Sequence, residues 1–187
     1  MSNQNRMIAD ATFYLVFLKD IDKPHFLEKI VNVHDFHITP LVDCEVKKKL
    51  CGCGKNHYYQ HIANGPVAKV SNIDTNIAIL IATLLGKSQI KYGEHEVIAH
   101  SCELADQNIN FCLLIDDAEA RGFVKKHLSH LTPNMKWTST FICECNCASD
   151  VLLKEECFEL IEDMKNANSL RVPEWKWNKV EAHIQSC

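Results

Sequence analysis

Short apolar runs alternate along the chain with longer stretches in which apolar residues recur at helical spacing. Residues 7–9 form an apolar run that predicts a strand, and residues 36–39 predict a second strand, which Pro40 stops. Residues 111–115 are an unbroken apolar run, as expected for a central parallel strand that is covered on both faces. Two further short strands are expected over 136–138 and 169–172.

Helices are predicted in the intervals between these strands. Strands that alternate with helices indicate a mainly parallel sheet with right-handed crossovers. We therefore predict a three-layer α/β/α fold, and we expect residues 1–187 to form a single domain because the length requires no second core. The helices are expected to begin after Asp10, at Pro24, Leu41, Ile73, Gly93 and Ala118, at about Phe141, and at Pro173.

Residues 51–72 interrupt this alternation and predict an irregular insertion that is rich in cysteine, histidine and glycine. Four thiolate or imidazole ligands in this segment would form a tetrahedral Zn²⁺ site that holds the loop together, whereas free thiols are the simpler interpretation. The candidate zinc ligands are Cys51, Cys53, His57 and His61. A second alternating group consists of Cys143, Cys145 and Cys147.

Charge and composition narrow the range of partners. A net charge of -4 and a pI near 6.2 provide no overall basic field for nucleic acid. RNA binding would therefore depend on local patches such as the lysine run 47–49, although a solvated helix face is the simpler interpretation. No signal core precedes the first strand, and the longest apolar stretch, 77–85, is too short to span a bilayer. We expect a soluble, cytoplasmic protein whose cysteines are thiols or metal ligands rather than disulfides.

Acidic residues follow two of the predicted strands. Asp10 comes after the first strand and Asp116 after the run 111–115. In open α/β sheets, reactive groups cluster beyond the carboxyl ends of the strands, so both side chains can face one crevice. Glu45 and Glu94 lie on predicted helices that would flank this crevice. Carboxylate oxygens suit Mg²⁺ or Mn²⁺, and a bound cation would offset the repulsion between them.

Helix capping is the competing interpretation of each acid. Asp116 or Asp117 would be a good N-cap for the helix that follows, and Glu94 and Glu96 would be favourable in a first helical turn. The sequence leaves open which residue of each pair belongs to the crevice.

Four segments, in order, resemble the PIN-domain family, in particular its small bacterial and archaeal members of the Vap-type toxin–antitoxin kind. Residues 8–12 are similar to the family's opening hydrophobic-Asp-x-Ser/Thr segment, and residues 38–46 to its strand, proline and helix with the second acid. Residues 93–99 resemble its Gly-Glu-x-Glu-x-Ile-Ala segment, and residues 113–121 its fourth acidic segment with a trailing Ala-Arg. The resemblance extends over nearly the whole chain.

This resemblance implies roles for individual residues. Asp10, Glu45, Glu94 and Asp116 would hold Mg²⁺ or Mn²⁺ and an activated water, with Glu96 and Asp117 as the alternatives to the last two. Thr12 would support the first ligand through its hydroxyl. Arg121 would contact phosphate, or more simply pair with a nearby acid. The residues expected near the substrate are Thr138, Ser139 and Thr140.

The resemblance also implies a PIN-like fold and a metal-dependent endoribonuclease that hydrolyses RNA phosphodiester bonds, either toxin-like or RNA-processing. Such an enzyme leaves 5′-phosphate and 3′-hydroxyl ends. The resemblance also implies a homodimer and an antitoxin-like or other protein partner. We expect no association with a membrane. The alternative is a catalytically silent PIN-like module that binds RNA or protein and carries a structural zinc site. A third interpretation is an unrelated α/β domain whose acids are only helix caps.

Overall fold

The fold is a three-layer α/β/α arrangement around a parallel sheet, as the alternation of strands and helices predicted. It is seen in a computed structural model that describes residues 5–86, 93–168, 170 and 172–187. The sheet has five parallel strands in the order β3-β2-β1-β4-β5. The strands are β1 (Arg6–Ala9), β2 (Asp35–Ile38), β3 (Ala68–Lys69), β4 (Phe111–Leu114) and β5 (Met135–Lys136).

The helices begin close to the predicted positions. Pro24 and Pro40 each stand in the first turn of a helix, where a missing backbone N–H costs no hydrogen bond. A π-helical turn, Val16–Asp20, continues the first helix. The α-helices are α1 (Ala11–Leu15), α2 (Pro24–Val33), α3 (Pro40–Gly52), α4 (Gln60–Ala63), α5 (Thr75–Leu84), α6 (Gly93–Asp106), α7 (Ala118–His127), α8 (Thr138–Cys147), α9 (Lys154–Ala167) and α10 (Glu174–Ser186).

None of the helices within the described ranges has the length and apolar character that crossing a lipid bilayer requires.

The segment predicted to be irregular contains regular structure. After α3 ends at Gly52, a 3-10 turn (Asn56–Tyr59) leads into α4, and β3 then pairs with β2 at the edge of the sheet. Ile62 and Val67 are buried and attach the segment to the hydrophobic core. The polar composition of 51–72 concealed these two apolar anchors, so the periodicity gave no sign of the added strand.

Two predicted strands differ from the prediction or lie partly outside the described residues. The one expected at 136–138 is shorter, because β5 ends at Lys136 and Thr138 is already the first residue of α8. The one expected over 169–172 lies on a segment of which residues 169 and 171 are outside the described part of the chain.

The strand order places the ends of β1 and β4 side by side. From β1 the chain adds β2 and then β3 on one side, and it then crosses back to add β4 and β5 on the other side. The direction of the strand order therefore reverses between β1 and β4, where open α/β sheets form a crevice beyond the carboxyl ends of the strands. Ala9 pairs with Leu114, and the backbone N–H of Asp10 donates to the Leu114 carbonyl at 3.1 Å.

Close packing of α6 against α3 depends on Gly93. A Cβ at this position would lie 2.6 Å from Cγ2 of Val42 and 3.3 Å from its Cα, which is closer than van der Waals contact allows. Val42 is fully buried, so it has little room to move aside. The absence of a side chain thus lets the first turn of α6, with Glu94 and Glu96, approach α3.

We expect Gly93→Ala to lower the free energy of unfolding by about 1–3 kcal/mol, the usual cost of inserting a methyl group into a packed contact. Urea denaturation followed by circular dichroism measures this. Gly122→Ala in α7 is the matched control, since a Cβ there meets no atom within 4 Å. Alanine is the better helix former, so the control should be neutral or stabilising. Equal effects of both substitutions would refute the packing role of Gly93.

Candidate active site

Asp10 and Asp116 lie next to each other in the crevice beyond β1 and β4. Each is only 4% exposed. The backbone N–H of Asp116 donates to Oδ2 of Asp10 at 3.3 Å, so the end of one strand contacts the side chain that follows its neighbour. Two ionisable carboxyl groups are thereby enclosed at the point where the strand order reverses.

Asp10 is held by the start of α1. Its Oδ1 accepts hydrogen bonds from the backbone N–H groups of Thr12 at 3.0 Å and Phe13 at 3.3 Å. Asp10 is therefore the N-cap of α1, as the capping interpretation proposed. Capping alone does not require burial beside a second carboxyl group, since a cap can equally well face solvent.

Asp116 is held by the start of α8. Its Oδ1 accepts from the backbone N–H of Thr138 at 3.0 Å, and its Oδ2 accepts from the Thr138 hydroxyl. Thr138 is fully buried, so its hydroxyl is shielded from solvent and bonds to Asp116 instead of water. The first residue of α8 thus fixes the orientation of the second carboxyl group.

Burial and mutual repulsion disfavour the ionised pair. Desolvation, together with the negative charge of Asp116, raises the pKa of Asp10 to about 8. Desolvation also raises the pKa of Asp116, although its hydrogen bonds from Thr138 act in the opposite direction. Near neutral pH the pair therefore retains a proton unless a cation compensates the second charge. Such a site fits a divalent metal ion, which would allow both groups to ionise.

Arg121 is buried at this site and is hydrogen-bonded to the backbone of two strand ends. It is 7% exposed, and its Nη1 donates to the carbonyls of Ile115 at 2.8 Å and Lys136 at 2.9 Å. Its guanidinium stacks on the ring of Trp137, with Cζ 4.1 Å from the ring centroid. Arg121 therefore joins the ends of β4 and β5, and its charge opposes the rise in the pKa of Asp116 that burial causes. Its hydrogen-bond partners are backbone carbonyls, and the acids Asp116 and Asp10 act on it electrostatically.

The structure separates the adjacent acids that the sequence could not distinguish. Asp117 is exposed and caps α7 by accepting from the N–H of Ala120 at 2.7 Å, so Asp116 is the member of its pair in the crevice. Glu96 accepts from the N–H of Leu41 at 2.7 Å and thereby holds the start of α3. The charge of Glu94, in contrast, contributes to the raised pKa of Asp10.

The four predicted metal ligands are not gathered as closely as the resemblance implied. Within the described residues, no three of these acids have carboxylate oxygens that all lie within 4.8 Å of one another. Glu45 is half-buried on α3 and forms an ion pair with Lys49 at 3.2 Å. This pairing follows from the helical spacing of four residues between them. Glu94 is thus close enough to act on Asp10 electrostatically, whereas the contact seen for Glu45 is the one with Lys49.

The remaining predicted residues have mixed positions. Thr12 contacts Asp10 through its backbone N–H, and not through the hydroxyl that we expected to act. Ser139 is fully buried and Thr140 is half-buried in the first turn of α8, so neither is displayed on an open surface. Of the three residues expected near the substrate, Thr138 alone contacts an acid of the crevice.

The predicted zinc quartet is not assembled. Cys51, Cys53 and His57 are exposed, and Nδ1 of His61 contacts Glu28 at 2.5 Å. Within the described residues, no three of these four side chains bring their ligand atoms within 4.8 Å of one another, although their spacing in sequence is close.

Sequence reasoning missed a different group of ligands. Over the part of the chain that the structure describes, one group of three histidine, cysteine or acidic residues has its ligand atoms within 4.8 Å of one another, namely Cys143, Cys147 and His183. A disulfide joins Cys147 to Cys187, contrary to the expectation that the cysteines form none. The signal was present as two pairs with a spacing of four residues, 143 with 147 and 183 with 187. Cys143, Cys145 and Cys147 alternate in sequence, but only Cys143 and Cys147 are one helical turn apart.

Comparisons of the chain with protein-family models, with curated proteins and with solved structures found no match. The resemblance to the PIN-domain family therefore rests on the four sequence segments alone.

We expect the stability of the metal-free protein to fall as the pH rises from about 4 to about 8 because of Asp10. In this window the folded protein holds a proton that the unfolded chain has released, so the free energy of unfolding decreases with pH. Asp10→Asn removes this titration but retains an oxygen that can cap α1. The melting temperature of the variant relative to wild type, measured with a chelator, should therefore be higher at about pH 8 than at about pH 5.

Asp117→Asn is the control for this experiment, because it exchanges one good cap for another at an exposed position. Its melting temperature relative to wild type should change little between the two pH values. If Asp10→Asn behaves in the same way as the control, the buried pair does not retain a proton.

Proposed function

We propose that this chain is a Mg²⁺- or Mn²⁺-dependent endoribonuclease with a PIN-like site formed around Asp10 and Asp116. The observation that carries the proposal is the burial of these two carboxyl groups side by side at the reversal of the strand order. A pair that is costly in the absence of a cation is what a divalent metal site requires. The order of the four PIN-like segments adds independent support, since Asp10 and Asp116 are the first and fourth acids of that pattern.

Asp10 and Asp116 would hold the metal ion, with Glu94 and Glu45 as the additional acids. A divalent cation at such a site supplies a water of lowered pKa and stabilises the leaving 3′ oxygen in phosphodiester hydrolysis. Mg²⁺ commonly retains several waters, so a site with two direct carboxylates and outer acids suits it. Thr138 keeps Asp116 in a single orientation, and Arg121 fixes the strand ends around the pair.

Local cations offer contacts for the RNA backbone. Lys47, Lys48 and Lys49 are exposed and follow Glu45 on α3, the helix that flanks the aspartate pair. Because the protein has a net charge of -4, this run would provide attraction that the whole surface does not. We place the enzyme in the cytoplasm, since eight of its ten cysteines are free thiols.

An apolar patch on α5 suits the expected homodimer or neutralising protein partner. Ile79, Leu80 and Leu84 are 49%, 57% and 54% exposed on this helix. Exposed apolar side chains grouped on one helix are typical of interaction surfaces.

A cleavage assay on labelled RNA with Mg²⁺ or Mn²⁺ tests the proposed activity. Asp10→Asn and Asp116→Asn should each reduce the rate by at least about 100-fold, the scale of loss when a catalytic polar group is removed. Asp117→Asn is the matched control, because it changes the neighbouring carboxylate at the exposed cap of α7 and should retain activity. Full activity of either crevice variant would refute the site.

Binding of the metal ion can be measured without RNA. Saturating Mg²⁺ or Mn²⁺ should raise the melting temperature of the wild type, since a ligand at 100 times its Kd adds about 2.7 kcal/mol of stability. The same addition should shift Asp10→Asn much less, while Asp117→Asn should respond as the wild type does. An equal shift in all three proteins would place metal binding elsewhere.

The rival function is the catalytically silent PIN-like module. The ion pair between Glu45 and Lys49 favours it, because a lysine already neutralises one of the four predicted metal ligands. A wild type that binds RNA but does not cleave it in either metal would support this rival.

A further inference from the structure

The contact between α8 and α10 gathers sulfur and imidazole ligands. Cys143 and Cys147 are one helical turn apart on α8, and His183 and Cys187 are one turn apart at the end of α10. The Sγ atoms of Cys143 and Cys147 and a ring nitrogen of His183 lie within 4.8 Å of one another. Two side chains from each helix therefore converge at one place.

The spacing of the ligand atoms fits a zinc ion. In a tetrahedral site, two thiolates at about 2.3 Å from Zn²⁺ are about 3.8 Å from each other. The Sγ atoms of Cys143 and Cys147 are 3.9 Å apart. The two cysteines of α8 thus already have the separation that two zinc ligands require.

Cys187 provides the fourth ligand. It forms the disulfide with Cys147, and the Cα atoms of the two residues are 5.4 Å apart. Its Sγ also lies 3.2 Å from the carbonyl oxygen of His183, so it is on the same turn as the imidazole. The disulfide involves two of the four side chains, and the positions of Cys143 and His183 beside it do not follow from that bond. A metal ion would account for all four.

Burial and charge around the group are compatible with a metal centre. Cys143 is buried, Cys147 is half-buried and His183 is exposed, so the site is backed by protein and open on one side. A cavity of about 330 Å³ beside it is lined by Cys143, His183, Lys176 and Lys179, among others. Three thiolates around Zn²⁺ have a net charge of -1, which is attracted to the positive charge of these lysines.

We propose that the reduced chain binds one Zn²⁺ through Cys143, Cys147, His183 and Cys187, and that the Cys147–Cys187 disulfide is the oxidised, metal-free form of this site. The cluster is structural, because four protein ligands leave no open position for a substrate. It ties the end of α8 to α10, whereas the first residue of α8, Thr138, holds Asp116. Zinc would therefore fix the helix on which the orientation of Asp116 depends.

The two forms interconvert by a two-electron exchange. A phosphine reductant cleaves the disulfide, takes up an oxygen atom from water and leaves two thiols, whose protons are released when zinc binds. In the reverse direction, glutathione disulfide accepts two electrons from the Cys147 and Cys187 thiolates and leaves as two glutathione molecules, with loss of the metal ion.

Metal content of the full-length protein tests the proposal. After reduction with the phosphine and incubation with Zn²⁺, followed by desalting, elemental analysis should find about one zinc per chain. With Co²⁺ in place of zinc, the absorption spectrum should show the sulfur-to-cobalt charge-transfer band of a thiolate site. Treatment with glutathione disulfide should abolish both signals. Reduced wild type with only a trace of zinc would overturn the proposal.

Variants assign the ligands. Cys143→Ser and His183→Asn should each lose bound zinc and the cobalt band, and His183→Asn changes an exposed residue, which should disturb the fold little. The double variant Cys51→Ser/Cys53→Ser is the matched control, since it removes two exposed thiols outside the cluster and should retain one zinc. Loss of zinc in this control, with retention in the two cluster variants, would place the metal at residues 51–61 and refute our assignment. The readout is independent of RNA cleavage, so its outcome does not depend on the proposed nuclease activity.

Discussion

Two carboxyl groups buried side by side cannot both ionise without a compensating positive charge. This constraint governs the crevice at the ends of β1 and β4, where Asp10 and Asp116 are almost fully enclosed. Hydrogen bonds from the first residues of α1 and α8, together with the charge of Arg121, offset part of the cost of burying these charges. These contacts orient the acids but leave the folded protein holding a proton. That residual cost is the physical reason to associate the crevice with a divalent cation.

Most of the surrounding polar contacts serve to hold elements rather than substrate. Arg121 joins β4 to β5, Glu96 holds the start of α3, and Asp117 holds the start of α7. These residues are next to the aspartate pair in sequence or in space, which is why motif matching assigned them chemical roles. The hydrogen bonds to Asp10 and Asp116 restrict the rotation of both side chains. Carboxylates held in this way would keep their geometry if a metal ion bound, as the proposed function requires.

The helix α8 relates the two candidate metal sites. Its first residue, Thr138, donates to Asp116, and its last turn carries Cys143 and Cys147 against α10. A change in the thiol–imidazole cluster at one end is therefore a change in the anchoring of a helix that orients an acid at the other. The two groups would favour different metal ions, since one offers oxygen atoms and the other offers sulfur and nitrogen atoms.

The sequence by itself determined most elements of this fold, though not α4 and β3, because apolar periodicity, Pro24, Pro40 and the unbroken run 111–115 are local signals. It also placed an acid after each of the two strands that prove to be neighbours. Only the tertiary structure showed that Asp116 rather than Asp117 lies beside Asp10 and that Glu96 holds the start of α3, since residues one or two positions apart share a local pattern but face different neighbours. The same limit applies to the thiols: Cys51 and Cys53 are close in sequence but not assembled with a histidine, whereas Cys143 and His183 meet because α8 packs on α10. Contacts between elements distant in the chain leave no trace in local periodicity.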